Sequence, residues 1–192
     1  DAQKLLDLAG DATNLYHVSD LTFKVNSGDI VNTVTSAKVD NGAWKDIVKT
    51  DVNPNHFKDH TVSFGWTLNN QASDEVKGIV SVAEIPQINK HGNELDFQLS
   101  GPITLPSNLK GAKAYYYTGD FNMDNTEVSG KPDLSTWQTA DQITDWSKVK
   151  YVAVSIDSLP AKSSSGRIEI SGHITKARYS NAGTGFLPTI TY

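Results

Sequence analysis

The chain has 192 residues, 38% of them hydrophobic and 20% charged, which is an ordinary balance for a globular protein long enough to bury a core. A net charge of −5 at pH 7, with no basic stripe, argues against a nucleic-acid-binding surface and against a polybasic membrane patch. The lack of cysteine excludes disulfides and zinc–thiolate sites and is common in large surface proteins of Gram-positive bacteria.

The first segment of the chain predicts its one helix. Residues 2–9 are good helix formers, and Gly10 follows them as a usual helix-ending residue. No apolar run approaches the roughly 20 residues that a membrane-spanning helix needs, so we expect no insertion into a membrane.

Beyond Gly10, alternating apolar and polar residues and many β-branched side chains predict about ten short strands. In chain order the predicted strands are 15–25, 30–39, 44–48, 60–69, 76–85, 94–99, 112–117, 149–156, 167–174 and 186–192. Polar loops are expected at 51–58, around Pro54, and at 118–136.

The spacing of these strands predicts an all-β fold, an antiparallel β-sandwich of the Ig-like or jelly-roll-like kind with a short N-terminal helix. The alternation of strands with helices that a parallel sheet requires is missing. We expect one domain over residues 1–192, with a division near Gly101-Pro102 as the alternative.

Motifs of catalysis are missing from the sequence, and we expect no enzyme activity. It contains no HExxH, GxSxG or P-loop pattern, and its carboxylates are spread over loops without any feature that selects a pair. His56 and His60 are four apart, a spacing that gathers metal ligands only on a helix, and a strand is predicted to begin near His60.

One polar run resembles the start of a calcium loop. Asp120, Asn122 and Asp124 place oxygen ligands at alternate positions, as such loops do, so calcium is the one candidate cofactor. Lys131, at the twelfth position, cannot supply the usual bidentate carboxylate. The alternative is a polar loop in which Asp and Asn form turns.

Aromatic residues offer a candidate ligand surface. Tyr115, Tyr116 and Tyr117 are consecutive, so in a strand at least one ring must face away from its neighbours, and Trp137 lies near a loop. These four are the candidate ligand-binding residues, and packing in the core or at its rim is the alternative for each. Trp66, in a strongly alternating strand, is expected in the core.

A covalent cross-link is a further hypothesis. Domains of Gram-positive surface proteins contain internal Lys–Asn isopeptide bonds, and Lys24 with Asn181 is the pair that the strand positions suggest here.

The C-terminal half, over roughly residues 95–192, resembles repeat modules of cell-wall-anchored adhesins of lactobacilli and related bacteria. The residues that carry the resemblance are Ala114-Tyr115-Tyr116-Tyr117, Ser135-Thr136-Trp137, Thr144 to Lys150, Ser158-Leu159-Pro160-Ala161 and Gly166 to Ile170. It implies an Ig-like or related sandwich in an extracellular protein anchored to the cell wall. No functional residue is carried over, since the shared positions are those of a scaffold.

Three functions fit these features. The first is a non-catalytic adhesion domain that recognises a host surface glycan, glycoprotein or matrix ligand through its loops. The second is a structural stalk or spacer module of a surface adhesin, and the third is a carbohydrate-binding module of a secreted enzyme. In each case we expect a monomeric domain within a longer chain.

Overall fold

A computed structural model describes residues 31–51, 53–123 and 131–192. The predicted N-terminal helix and the predicted strand at 15–25 lie outside these residues. The described strands are β1 (Val31–Val39), β2 (Val62–Asn70), β3 (Val76–Glu84), β4 (Leu95–Leu99), β5 (Lys113–Tyr117), β6 (Tyr151–Leu159), β7 (Ile168–Ala177) and β8 (Thr189–Thr191).

Helical structure in the described residues is limited to short 3-10 turns. Those turns are Pro54–Asp59, Leu134–Thr136, Ala140–Gln142 and Trp146–Lys148. In the part of the chain that the structure describes, no helix is both long and apolar enough to cross a membrane.

The strands form two antiparallel sheets. The first has the order β1-β2-β7-β4 and the second the order β5-β6-β3-β8, with every strand pair antiparallel. The chain crosses between sheets after β2, β3, β4, β6 and β7, so each sheet combines strands distant in sequence. The expected antiparallel β-sandwich is thus confirmed.

The core lies between the two sheets. Alternation along β2 turns Phe64 and Trp66 inward, where they meet Ile79 of β3 and Val152 of β6 in one apolar cluster. Trp66 is fully buried, as expected, and its indole N–H donates to the hydroxyl of Ser81 on the opposite sheet at 3.1 Å. The buried indole therefore keeps a polar partner inside the core.

Two segments differ from the expected strands. Residues 44–48 form only an isolated bridge, between Lys45 and Ala37, and the last strand shortens to β8. The loop around Pro54 contains a 3-10 helix that begins at this proline, with the Asn53 side chain accepting a hydrogen bond from the N–H of Asn55. Proline suits a first helical position because its fixed φ is already helical and no N–H is needed there.

Candidate functional site

The three consecutive tyrosines divide between the two faces of β5, as the alternation predicts. Tyr116 points inward and is 0% exposed, its hydroxyl oxygen accepts the Ile103 N–H at 2.8 Å, and its ring meets Trp146 edge-on. Burial raises the pKa of the Tyr116 hydroxyl, against the opposing effect of that hydrogen bond. The expectation of a ligand-facing ring is wrong for Tyr116, which belongs to the core.

Trp137 is likewise not an exposed ring. It is 7% exposed, and its indole stacks on Tyr117 with ring centres 5.1 Å apart and planes 14° from parallel. The neighbouring Gln138 exchanges backbone hydrogen bonds with Tyr116, which fixes the tryptophan beside the edge of β5. Trp137 therefore covers the sheet, and Tyr115 and Tyr117 are the candidates that stay partly exposed.

The rings of Trp137, Tyr115 and Tyr117 belong to a second apolar layer on the outer face of the second sheet. Its buried members are Val80, Val82, Trp137, Tyr151 and Ala153, and the partly buried residues packed against them are Tyr115, Tyr117, Phe121, Met123 and Leu134. We call this set the outer aromatic cluster. It leaves the second sheet apolar on both faces, with residues from the loop after β5 as its cover.

An open groove of about 580 Å³ lies at the edge of the outer aromatic cluster. It is lined by Glu84, Lys90, His91, Asp120, Phe121, Asn122, Met123 and Tyr151. Alternation along β3 places Glu84 on the same face as Val80 and Val82, at the point where the strand ends. The groove therefore brings together the end of β3, the loop 85–94 and the start of the loop after β5.

Glu84 is the centre of the charges in this groove. Its side chain is 11% exposed, and its carboxylate lies 2.8 Å from His91 Nε2 and 3.6 Å from Lys90 Nζ. The Lys90 ammonium also lies 5.8 Å from the centre of the Tyr151 ring. Burial disfavours the charge of Lys90, but Tyr151, Glu84 and Asp120 together outweigh this effect and raise its pKa.

Asp120 stands on the other side of the groove. Its side chain is 88% exposed and its Oδ1 accepts a hydrogen bond from Lys150 Nζ at 3.1 Å. That bond and the charges of Lys150 and Lys90 lower the pKa of the Asp120 carboxyl, so this group stays ionised.

The predicted calcium loop is only partly within the described residues. Asp124 lies outside them, whereas Asn122 is exposed and lines the groove. Asp120 faces a lysine ammonium, which would compete with a cation for its oxygens. In the described parts of the chain, no group of three or more His, Cys, Asp or Glu side chains is placed to hold a metal, so calcium here stays a prediction.

The two histidines considered for a metal each face a separate carboxylate. His56 Nδ1 lies 2.6 Å from Asp51 Oδ2, and His60 Nδ1 lies 2.8 Å from Asp40 Oδ2. The proposed isopeptide partner Asn181 is exposed, which does not suit a bond that forms between buried groups, and Lys24 lies outside the described residues.

Six of the eight residues that line the groove are not among the predicted site residues, and three of the six, Glu84, Lys90 and His91, have ionisable side chains at the end of β3 and in the loop after it. A signal was present, because an alternating strand with Val80 and Val82 outward also directs Glu84 outward. The polar turn Asn89-Lys90-His91-Gly92 begins five residues after Glu84. Sequence alone cannot show that Asp120 and Phe121 lie in the same groove as Glu84, because they follow a different strand, β5.

The arrangement offers hydrogen-bond acceptors and donors around a partly apolar surface. Asp120 is held in its ionised form, and the Glu84 carboxylate lies beside the side chains of His91 and Lys90. No protein-family model matches this chain, and no curated protein matches its sequence.

Proposed function

We propose that this chain is a non-catalytic binding domain of a bacterial surface adhesin, which recognises a host glycan or glycoprotein. The observation that carries the proposal is the groove, which is lined by Glu84, Lys90 and Asp120 together with the partly exposed Phe121. Ligand sites combine an apolar surface with a few fixed polar groups in this way. The resemblance of residues 95–192 to adhesin modules supports a position outside the cell, anchored to the cell wall.

The position of the groove also supports binding. It lies at the edge of a sheet whose two faces are both packed, so the strand and loop residues around it rest on rigid structure. Sandwich domains commonly bind through loops held on such a scaffold. Tyr115 and Tyr117 extend the partly exposed aromatic surface along the same face.

Binding of the purified domain to an array of host glycans, mucins and matrix proteins tests the proposal. Lys90→Met should weaken a specific interaction by about tenfold, the size expected for one hydrogen bond to a charged group. Lys77→Met is the matched control, because Lys77 is an exposed lysine on β3 that lies seven residues from Glu84 and outside the groove.

Each outcome has a distinct meaning. A saturable interaction that Lys90→Met weakens and Lys77→Met leaves unchanged supports a binding domain that uses the groove. A folded protein that binds nothing on the array contradicts the proposal and favours the stalk or spacer alternative. Binding that both variants retain in full places the ligand elsewhere on the surface.

A further inference from the structure

The loop 85–94 has a backbone that is set before any ligand arrives. Asn89 and His91 have φ angles of 68° and 51°, in the left-handed region, and Gly92 follows at 74°. Residues other than glycine rarely adopt this region, and they do so where the surrounding structure holds them. Backbone hydrogen bonds from Asn89 N–H to Asn93 O and from Asn93 N–H to Lys90 O close the turn.

Side chains beneath the loop tie it to the C-terminal part of the chain. Asn93 is buried, and its Oδ1 accepts hydrogen bonds from the Thr184 hydroxyl at 2.7 Å and from the Gly185 N–H at 3.1 Å. Asn89 Oδ1 accepts a further bond from the Arg178 guanidinium at 2.9 Å. Lys90 and His91 are therefore presented to the groove from a fixed position, which lowers the entropy cost of binding.

The charges in and beside the groove balance. Lys90 faces Glu84, and Lys150 faces Asp120, so two ammonium groups oppose two carboxylates among the described residues. His91 Nε2 also lies 2.8 Å from the Glu84 carboxylate. An anionic ligand would have to displace a carboxylate from its lysine, and the whole chain carries a net charge of −5 that repels anions further.

We infer that the groove takes an uncharged, hydroxyl-rich segment of a glycan rather than a sialylated or sulfated one, an inference that rests on the proposed function. Sugar hydroxyls both donate and accept, so one ring can donate to Glu84 or Asp120 and accept from Lys90. The apolar C–H face of the same ring packs on the partly exposed Phe121. A neutral ligand leaves both lysine–carboxylate pairs in place.

The test compares matched oligosaccharides that share a core and differ in one group. Affinities are measured for the neutral core, its sialylated form and its sulfated form, each at 50 and 500 mM NaCl. We expect the neutral core to bind at least about tenfold more tightly than either anion. Its affinity should change by less than about twofold with salt, since no net charge is neutralised.

Two variants identify the site in the same experiment. Glu84→Gln keeps the shape of the side chain but removes its charge, and it should weaken the neutral core while reducing the preference against the anions. Ser155→Ala, on the same face of the second sheet but outside the groove, serves as the control.

The failures are distinguishable. Tighter, salt-sensitive binding of the sialylated or sulfated form overturns this inference and leaves the proposed function standing. Neutral binding that Glu84→Gln does not alter overturns the assignment of the ligand to the groove. If the folded protein binds none of the three forms and no member of the wider array, both the proposed function and this inference are wrong.

Discussion

The indole nitrogen of Trp66 on β2 lies 3.1 Å from the hydroxyl of Ser81 on β3, so one polar contact crosses the core between the two sheets. Both residues are completely buried. The pair shows how the sandwich buries its largest ring without leaving an unpaired donor.

Removing the Ser81 hydroxyl, which accepts the Trp66 N–H, should destabilise the fold. Ser81→Ala leaves the Trp66 N–H buried without an acceptor, which should lower the free energy of unfolding by about 1–3 kcal/mol in urea titrations. Adding Trp66→Phe tests the cause, since Ser81→Ala should then cost much less in this background. Equal costs in both backgrounds would assign the loss to packing instead of the hydrogen bond.

Trp137 should behave as a packing residue. Trp137→Ala removes an indole that stacks on Tyr117 and meets Phe121 edge-on, so we expect a loss of about 3–5 kcal/mol in unfolding free energy. Tyr115→Ala, at a partly exposed ring of the same cluster, should cost clearly less. A Trp137→Ala protein as stable as wild type would show that the outer aromatic cluster does not support the fold.

Gly172 should tolerate no side chain. It lies in β7 between Val62 of β2 and Leu99 of β4, and an added Cβ would overlap the carbonyl oxygen of Gln98. Gly172→Ala should therefore push β4 away from β7. We expect it to lower the free energy of unfolding by about 1–3 kcal/mol or more, as overpacking does. Gly101→Ala is the control, because a Cβ there meets nothing within 4 Å, and its melting temperature should stay near that of wild type.

The His60–Asp40 pair should make stability depend on pH. The hydrogen bond that the His60 imidazole donates to the Asp40 carboxylate raises the pKa of His60. The same bond, with the one that the Thr61 N–H donates, lowers the pKa of Asp40. Because folding raises the pKa of His60, the protonated imidazole stabilises the fold at pH values below 6.5, the pKa of the unfolded state. This stabilisation is lost as the pH rises through the folded pKa of His60. Because folding lowers the pKa of Asp40, its ionised carboxylate stabilises the fold at pH values above 3.8. This stabilisation is lost as the pH falls through the folded pKa of Asp40.

Melting temperatures of wild type and His60→Gln across pH 4–9 check this dependence. The difference in melting temperature between the two proteins should be largest between the two unfolded pKa values, 3.8 and 6.5, and should shrink as the pH rises through the folded pKa of His60. Asp40→Asn should give the same profile, whereas Asp46→Asn, at an exposed loop position, should not. A difference that does not vary with pH would contradict a role for the protonated imidazole.

Local patterns in the sequence predict most of the described strands but not the site. The alternation of Val62, Phe64 and Trp66 predicts both β2 and its buried face, because side-chain direction in a strand follows from the backbone alone. The same rule correctly predicts that Tyr116 faces away from Tyr115 and Tyr117. The two-sheet arrangement follows from the need to bury these apolar faces against each other.

The errors come from contacts between distant segments. Trp137 is adjacent in sequence to a polar loop, and its burial depends on Tyr117, which lies twenty residues earlier and on a different element. Glu84 and Asp120 line one groove because the residues that follow Asp120, Phe121 and Met123, pack against the outer aromatic cluster. Residues 44–48 have strand-like composition, but apart from one bridge they find no partner among the described strands.

The two apolar layers have a consequence for strand β6. It has β5 on one edge and β3 on the other, with Val152 and Val154 packed beneath it and Tyr151 and Ala153 covered from above. Its backbone amides can then meet deuterated water only when the sandwich opens as a whole. Isotope exchange at β6 would report global unfolding, and a ligand bound in the groove at a concentration [L] should slow that exchange by the factor 1 + [L]/Kd.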